Sequence, residues 1–161
     1  MAQEKHEGFL RKAIALSARA GLEFSTGGPF GAVITQGDVV VAEGMNRVVA
    51  SHDPTWHAEM EAIRSAAITL QNFKLDDCTL YTSAEPCPMC LAAAYWAGIK
   101  TIYYAASVED ASTFGGFDDS MIYQQLLLPK GQRQLKAKQL LQDEAVQVWR
   151  LYQAKPDKTH Y

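Results

Sequence analysis

Two short segments of this 161-residue chain have to meet at one point, and that requirement limits its fold more than anything else in the sequence. The first segment is His57-Ala58-Glu59. The second is Glu85-Pro86-Cys87-Pro88-Met89-Cys90, with 26 residues (60–85) between Glu59 and Pro86. Together they offer an imidazole, two thiols and one carboxylate beyond what a ligand set needs. A structural zinc site takes four protein ligands, whereas a catalytic one takes three and keeps a position for water. No fourth Cys or His lies nearby in sequence, so the pattern predicts a catalytic zinc held by His57, Cys87 and Cys90.

The spacing says how the chain arranges this. Cys87 and Cys90 are three residues apart and share a face on one helical turn. Pro88 between them suits a first turn, where its missing N–H costs nothing. The positive end of that helix then favours thiolate over thiol. His57 and Glu59 pose a problem, because residues two apart on a regular helix point in opposite directions. Both can approach one metal only where the helix starts irregularly. Asp53-Pro54 upstream predicts such a start, with Asp53 as N-cap and Pro54 at the first helical position. Zinc lowers the pKa of a bound water from roughly 16 to about 7 and so gives hydroxide at neutral pH. Glu59 is placed to take that water's proton and pass it on.

Apolar spacing over Glu7–Phe24 predicts a first amphipathic helix, broken at Ser25-Thr26-Gly27-Gly28-Pro29. The runs 30–34 and 39–42 around Gln36-Gly37-Asp38 read as a hairpin. A second helix is expected from Asp53 to about Leu70. A buried strand follows over 80–83, a third helix from about Pro88 to Trp96, closed near Gly98, and a fourth strand over 101–105. Residues 111–117 read as a Gly-rich loop, with a short helix after Ser120. Residues 134–141 read as a fifth strand and 144–153 as a last helix. Alternating strands and helices predict a layered α/β domain with helices on both faces of the sheet. One domain over 1–153 and a polar tail over 154–161 are expected.

Composition narrows the partners. A net charge of -3, with lysines and arginines scattered apart from a modest cluster between Lys130 and Lys138, argues for a small substrate over a long nucleic acid. Three cysteines are too few for a disulfide framework, and Cys78 in an apolar run reads as a buried strand residue. No apolar segment follows the N-terminus and no stretch reaches membrane-span length, so a reducing cytoplasm is expected. His6, His52 and His160 read as surface residues.

Several segments carry a resemblance. They are Gly27-Gly28-Pro29-Phe30-Gly31-Ala32-Val33-Ile34, Asp53-Pro54-Thr55-Trp56-His57-Ala58-Glu59, Leu80-Tyr81-Thr82-Ser83, Glu85 to Cys90, Phe117-Asp118-Asp119-Ser120 and the terminal Tyr161. Over most of its length the chain resembles the cytidine and deoxycytidylate deaminase superfamily, whose signature is H-x-E followed by P-C-x-x-C. More narrowly it resembles bacterial guanine deaminases, chiefly through Phe117–Ser120 and the aromatic terminus. The resemblance implies a three-layer α/β/α sandwich around a mixed sheet of about five strands. It implies one zinc per subunit on His57, Cys87 and Cys90, with Glu59 as proton shuttle. Substrate contacts would come from Asn46, Phe30, Ala58, Asp119, Trp96 and Tyr161. Asn46 would hold a purine by its amide, Phe30 would pack on the ring, and Asp119 would accept from guanine N–H groups. The implied reaction is attack at C2 of guanine, giving xanthine and ammonia. The resemblance also implies a homodimer, with a C-terminal segment able to swap so that Tyr161 closes the pocket. Ala84 departs from relatives that carry Cys or a bulkier residue before Glu-Pro-Cys.

Simpler roles compete. Asn46 follows Gly44 and could be a turn residue. Asp118, Asp119 or Ser120 could cap the next helix. Phe30 and Trp96 could be core aromatics, and Tyr161 a frayed end. Deamination of a tRNA adenosine or of another small aminated ring (an aminotriazine, cytosine, a nucleoside) stays open, as does a non-catalytic zinc-stabilised binding domain.

Overall fold

The computed structural model describes residues 2–160. Its sheet is built from β1 (Gly31–Gln36), β2 (Val39–Met45), β3 (Cys78–Ala84) and β4 (Thr101–Ala106), in the spatial order β2-β1-β3-β4. β1 runs antiparallel to both β2 and β3, and β3 runs parallel to β4. A parallel pair needs a crossover. Here α4 (Pro88–Trp96) supplies it, so the loop after β3 carries Cys87 and the first turn of the crossover helix carries Cys90.

Alternation along each strand sorts the core into two layers. Val33 and Tyr81 face α1 (Ala2–Ala18) and join Ala13 and Leu16. Ala32, Ile34 and Leu80 face the opposite way and pack with Ala58, Ala62 and Ala66 of α3 (Ala58–Thr69) and Ala94 of α4. Full burial of Ile34 or Leu80 is worth about 1.5–3 kcal/mol each. The small residues of α3 let it lie close to β2. A Cβ on Gly44 would collide with the backbone of Ala58, so glycine at 44 sets that approach. The chain therefore has the expected three layers around a mixed sheet.

Several boundaries differ from the sequence expectation. α1 begins earlier, at Ala2, and ends in a π-helical turn, Arg19–Glu23. An unforeseen single turn, α2 (Val48–Ser51), precedes α3. Asp53 does not start α3. Its carboxylate accepts from the Thr55 N–H and hydroxyl at 2.8 and 2.7 Å, a local turn that completes before the helix begins at Ala58. Residues expected as a loop form α5 (Val108–Gly115), started by a capping box between Ser107 and Asp110 and ended by Gly116 at φ 74°. Residues 134–141 are not a strand, so the sheet has four strands among the described residues.

The chain divides after Ser120 into two compact units. The first contains the sheet with α1–α5. The second follows from α6 (Ser120–Leu127) through a 3₁₀ turn (Lys130–Gln132) to α7 (Gln142–Ala154). Within the second, the Arg133 guanidinium donates to the Leu128 and Leu126 carbonyls at the end of α6. The Tyr152 hydroxyl donates to the Thr159 carbonyl. No helix among the described residues is long and apolar enough to cross a membrane.

Candidate active site

The starts of α3 and α4 meet. His57 is the residue just before α3, with extended backbone at φ -76° and ψ 156°, and Cys87 takes the same place before α4 at φ -64° and ψ 167°. Pro88 and Cys90 follow in the first turn of α4. This removes the difficulty of the two-residue spacing. His57 lies outside the helix and Glu59 inside its first turn, so both side chains reach the same place.

His57 Nδ1 lies 3.5 Å from Cys87 Sγ and 3.5 Å from Cys90 Sγ. The three ligand atoms all fall within 4.8 Å of one another. A tetrahedral zinc, with Zn–S about 2.3 Å and Zn–N about 2.0–2.1 Å, requires N and S to be about 3.5 Å apart. The donor set and its spacing therefore fit zinc. Without the metal the cluster holds protons unevenly. Cys87 is lowered to about 4, first by the hydrogen bond from the Cys90 thiol and also by that with His57. Cys90 is raised because it donates to that thiolate and because it is buried. His57 is raised by its hydrogen bond to Cys87, against the effect of burial.

Glu59 is 4% exposed, and the Thr82 hydroxyl of β3 reaches it at 3.4 Å. Burial pushes its carboxyl above the usual range. It opens onto a cleft of about 260 Å³ lined by residues that include Phe30, Asn46, His57, Glu59, Cys87 and Asp119. Asn46 is buried, and its Oδ1 accepts from the Val48 N–H at 3.1 Å. The amide orientation follows from this, because a backbone N–H can only donate. The NH₂ end is left as the donor the side chain has to offer. Phe30 packs edge-to-face on Phe117, with ring centroids 5.0 Å apart. Asp119 lines the cleft, raised first by burial and then by the negative charge of Cys87. It is Asp118, not Asp119, that accepts from the Ser120 N–H at the start of α6.

Two predicted contacts are placed elsewhere. Trp96 is 67% exposed at the far end of α4 and does not line the cleft. At 1.5 Å per residue, the helix carries it roughly 13 Å along from Cys87. Ala58 is fully buried in the core against the sheet and does not line the cleft. Tyr161 lies outside the described residues. The cleft also uses residues that the sequence reading passed over: Val48, Val49, Pro54 and Glu85. Glu85 stands inside the cysteine segment, which was the available signal. Val48 and Val49 gave none, since the helical turn that sets them at the cleft is not visible in the sequence.

A three-ligand zinc cluster at two helix starts, with a buried carboxylate between it and a small cleft, defines a zinc-dependent hydrolytic deaminase. The chain belongs to the cytidine and deoxycytidylate deaminase family: residues 3–106 match its zinc-binding region. It is 46% identical to a guanine deaminase of Bacillus subtilis over 155 residues, 94% of this chain and 98% of that one. A solved structure of Bacillus subtilis guanine deaminase superposes with a TM-score of 0.92 at 44% identity, covering 97% of this chain and 98% of that chain. A tRNA-specific adenosine deaminase of Buchnera aphidicola is 35% identical over 86 residues, 53% of each chain.

Proposed function

We propose that this chain is a guanine deaminase, which converts guanine and water into xanthine and ammonia. The observation that carries the reading is the cleft itself. A buried carboxylate, Glu59, adjoins the His57–Cys87–Cys90 cluster, and the same cleft offers one amide donor, Asn46, and one carboxylate acceptor, Asp119. The near full-length likeness to the Bacillus subtilis enzyme supports the choice of guanine.

Zinc, when bound, supplies the Lewis acidity that makes water a nucleophile near neutral pH. Glu59 takes one proton from the water and delivers it to ring N3, where it stays in xanthine. The hydroxyl added at C2 gives up a second proton as its C=O forms, and Glu59 passes that one to the amino group, which leaves as ammonia. Asn46 donates from its NH₂ to a ring acceptor. Asp119 accepts from guanine N–H groups, and Phe30, braced by Phe117, packs on the ring. At about 260 Å³ the cleft falls just below the usual range of ligand pockets, roughly 300–1,000 Å³, which suits a bare base.

The measurement that tests the reading is an ultraviolet assay across guanine, adenine, cytosine, guanosine and a tRNA anticodon hairpin. Guanine is expected to be turned over with a kcat/KM at least about 100-fold above the others. Faster turnover of the hairpin would replace the reading with tRNA editing, which needs a flipped nucleotide and a phosphate-binding face. Within this reading, Asp119→Asn loses a charged acceptor. A hydrogen bond to a charged group is worth about 1.5–3 kcal/mol, so kcat/KM for guanine should fall about 10- to 100-fold.

The finer assignments follow. The enzyme works in the reducing cytoplasm, consistent with three free buried cysteines. It works as a homodimer in which a C-terminal segment swaps and Tyr161 closes the partner's cleft. The second unit exposes Leu127, Leu135, Leu140, Trp149 and Leu151, apolar surface of the kind that association buries.

A further inference from the structure

Asn46 is gripped from behind, and the grip depends on a residue that does not line the cleft. The Thr26 hydroxyl donates to the Asn46 backbone carbonyl at 2.7 Å. The Thr26 carbonyl accepts from the N–H groups of both Val49 and Ala50 at 3.0 Å, in the one-turn helix α2. That helix begins at Val48, whose N–H fixes the Asn46 amide. So Thr26 holds Asn46 twice, once by its backbone and once through the turn that orients its side chain. Thr26 is itself anchored, with its N–H on the Ala20 carbonyl at 2.9 Å. The next residue closes the arrangement. A Cβ on Gly27 would collide with Asn46 Oδ1, so the chain behind the amide has no room for a side chain.

We propose that Thr26 is a positioning residue for substrate binding, holding Asn46 so that its NH₂ group meets a ring acceptor of the purine. This rests on the reading of the cleft as a purine site. The zinc ligands and Glu59 sit on other elements, α3 and α4 with the residues just before them. A fault at Thr26 therefore reaches binding and leaves the proton chemistry intact. Valine has nearly the shape of threonine and lacks the hydroxyl. It would leave a buried carbonyl short of its partner and free Asn46 to shift.

The test is a kinetic cycle of Thr26→Val, Thr26→Ser, Asn46→Ala and the double variant Thr26→Val/Asn46→Ala, with zinc content and Tm measured on each. Thr26→Val is expected to raise KM for guanine about tenfold, with kcat within about twofold and zinc unchanged. Thr26→Ser, which keeps the hydroxyl, should restore KM. In the Asn46→Ala background, Thr26→Val should change KM by less than about twofold, because the group it positions is gone. Additive effects would overturn the proposal, as would a loss in kcat or zinc with KM unchanged, or a serine variant as poor as valine. Should valine fold poorly, Thr26→Ala is read by the same criteria. Misfolding of both beside a normal serine variant would make Thr26 purely structural and overturn the proposal. The cycle is run on whichever base the wild-type protein turns over, so inertness toward guanine removes the guanine reading and leaves Thr26 to be decided by the cycle.

Discussion

Glu59→Gln is expected to keep its zinc and its fold and to lose at least about 1,000-fold in kcat, within the 10²–10⁴-fold range of a positioned acid–base group. The substitution preserves shape, and it can still accept from the Thr82 hydroxyl. What it removes is the ability to take a proton from water and give it to the ring. Stability of the metal-free protein should not fall. Burial raises the Glu59 pKa, and an acid raised on folding loses stability as pH climbs from its unfolded value through its folded one. Glutamine does not titrate, so at pH 7 the metal-free variant should be at least as stable as the metal-free wild type. Xanthine formation followed by absorbance, with metal analysis and thermal melting on the same samples, separates the two effects. A variant that kept more than about a tenth of wild-type kcat would take Glu59 out of the proton path. One that lost its zinc would show instead that the carboxylate helps to hold the cluster.

The metal cluster was legible in the sequence because its chemistry is local. Cys87, Pro88 and Cys90 specify a helix start by themselves, and the structure places α4 at Pro88–Trp96 as expected. The start of α3 was harder. Asp53-Pro54 has the composition of a helix start, but the Asp53 carboxylate turns onto Thr55 and the helix waits until Ala58. That delay is what frees His57 to extend beside Glu59, a detail that composition alone does not carry. α5 was missed because its small residues and glycines hid the Ser107–Asp110 capping box. Residues 134–141 have the polarity pattern of a strand, yet a strand also needs a neighbouring edge, which sequence does not reveal. For the cleft, Glu59 next to the motif lies at the cluster, while Trp96 is carried away along α4 and does not line it. Asn46 depended on backbone contacts from Thr26 and Val48, which no side-chain pattern announces.

Cys90→Ala is expected to abolish turnover and zinc binding together, and to lower stability as far as removing zinc from the wild type with a chelator does. Cys90 is fully buried in the first turn of α4, so no water replaces its sulfur without opening the site. A ligand that binds only the folded state at 100 times its Kd adds about 2.7 kcal/mol of stability. For a domain of this size each kcal/mol shifts Tm by about 2–4 °C. Zinc-loaded wild type should therefore melt at least about 5–10 °C above both the chelated protein and the Cys90→Ala variant. The sign of the pH dependence follows from the protons. Without metal, Cys90 keeps its proton as donor to the Cys87 thiolate, and its pKa is raised. Binding zinc must expel that proton, so affinity should rise about tenfold per pH unit for each proton released and fall as the solution is acidified. Calorimetric titration of zinc into the metal-free protein at pH 7, in two buffers of different ionisation enthalpy, counts the protons directly. At least one is expected. Release of none would mean that Cys90 is already a thiolate or is not a ligand. A Cys90→Ala protein that retained stoichiometric zinc and deaminated guanine would decide for the second.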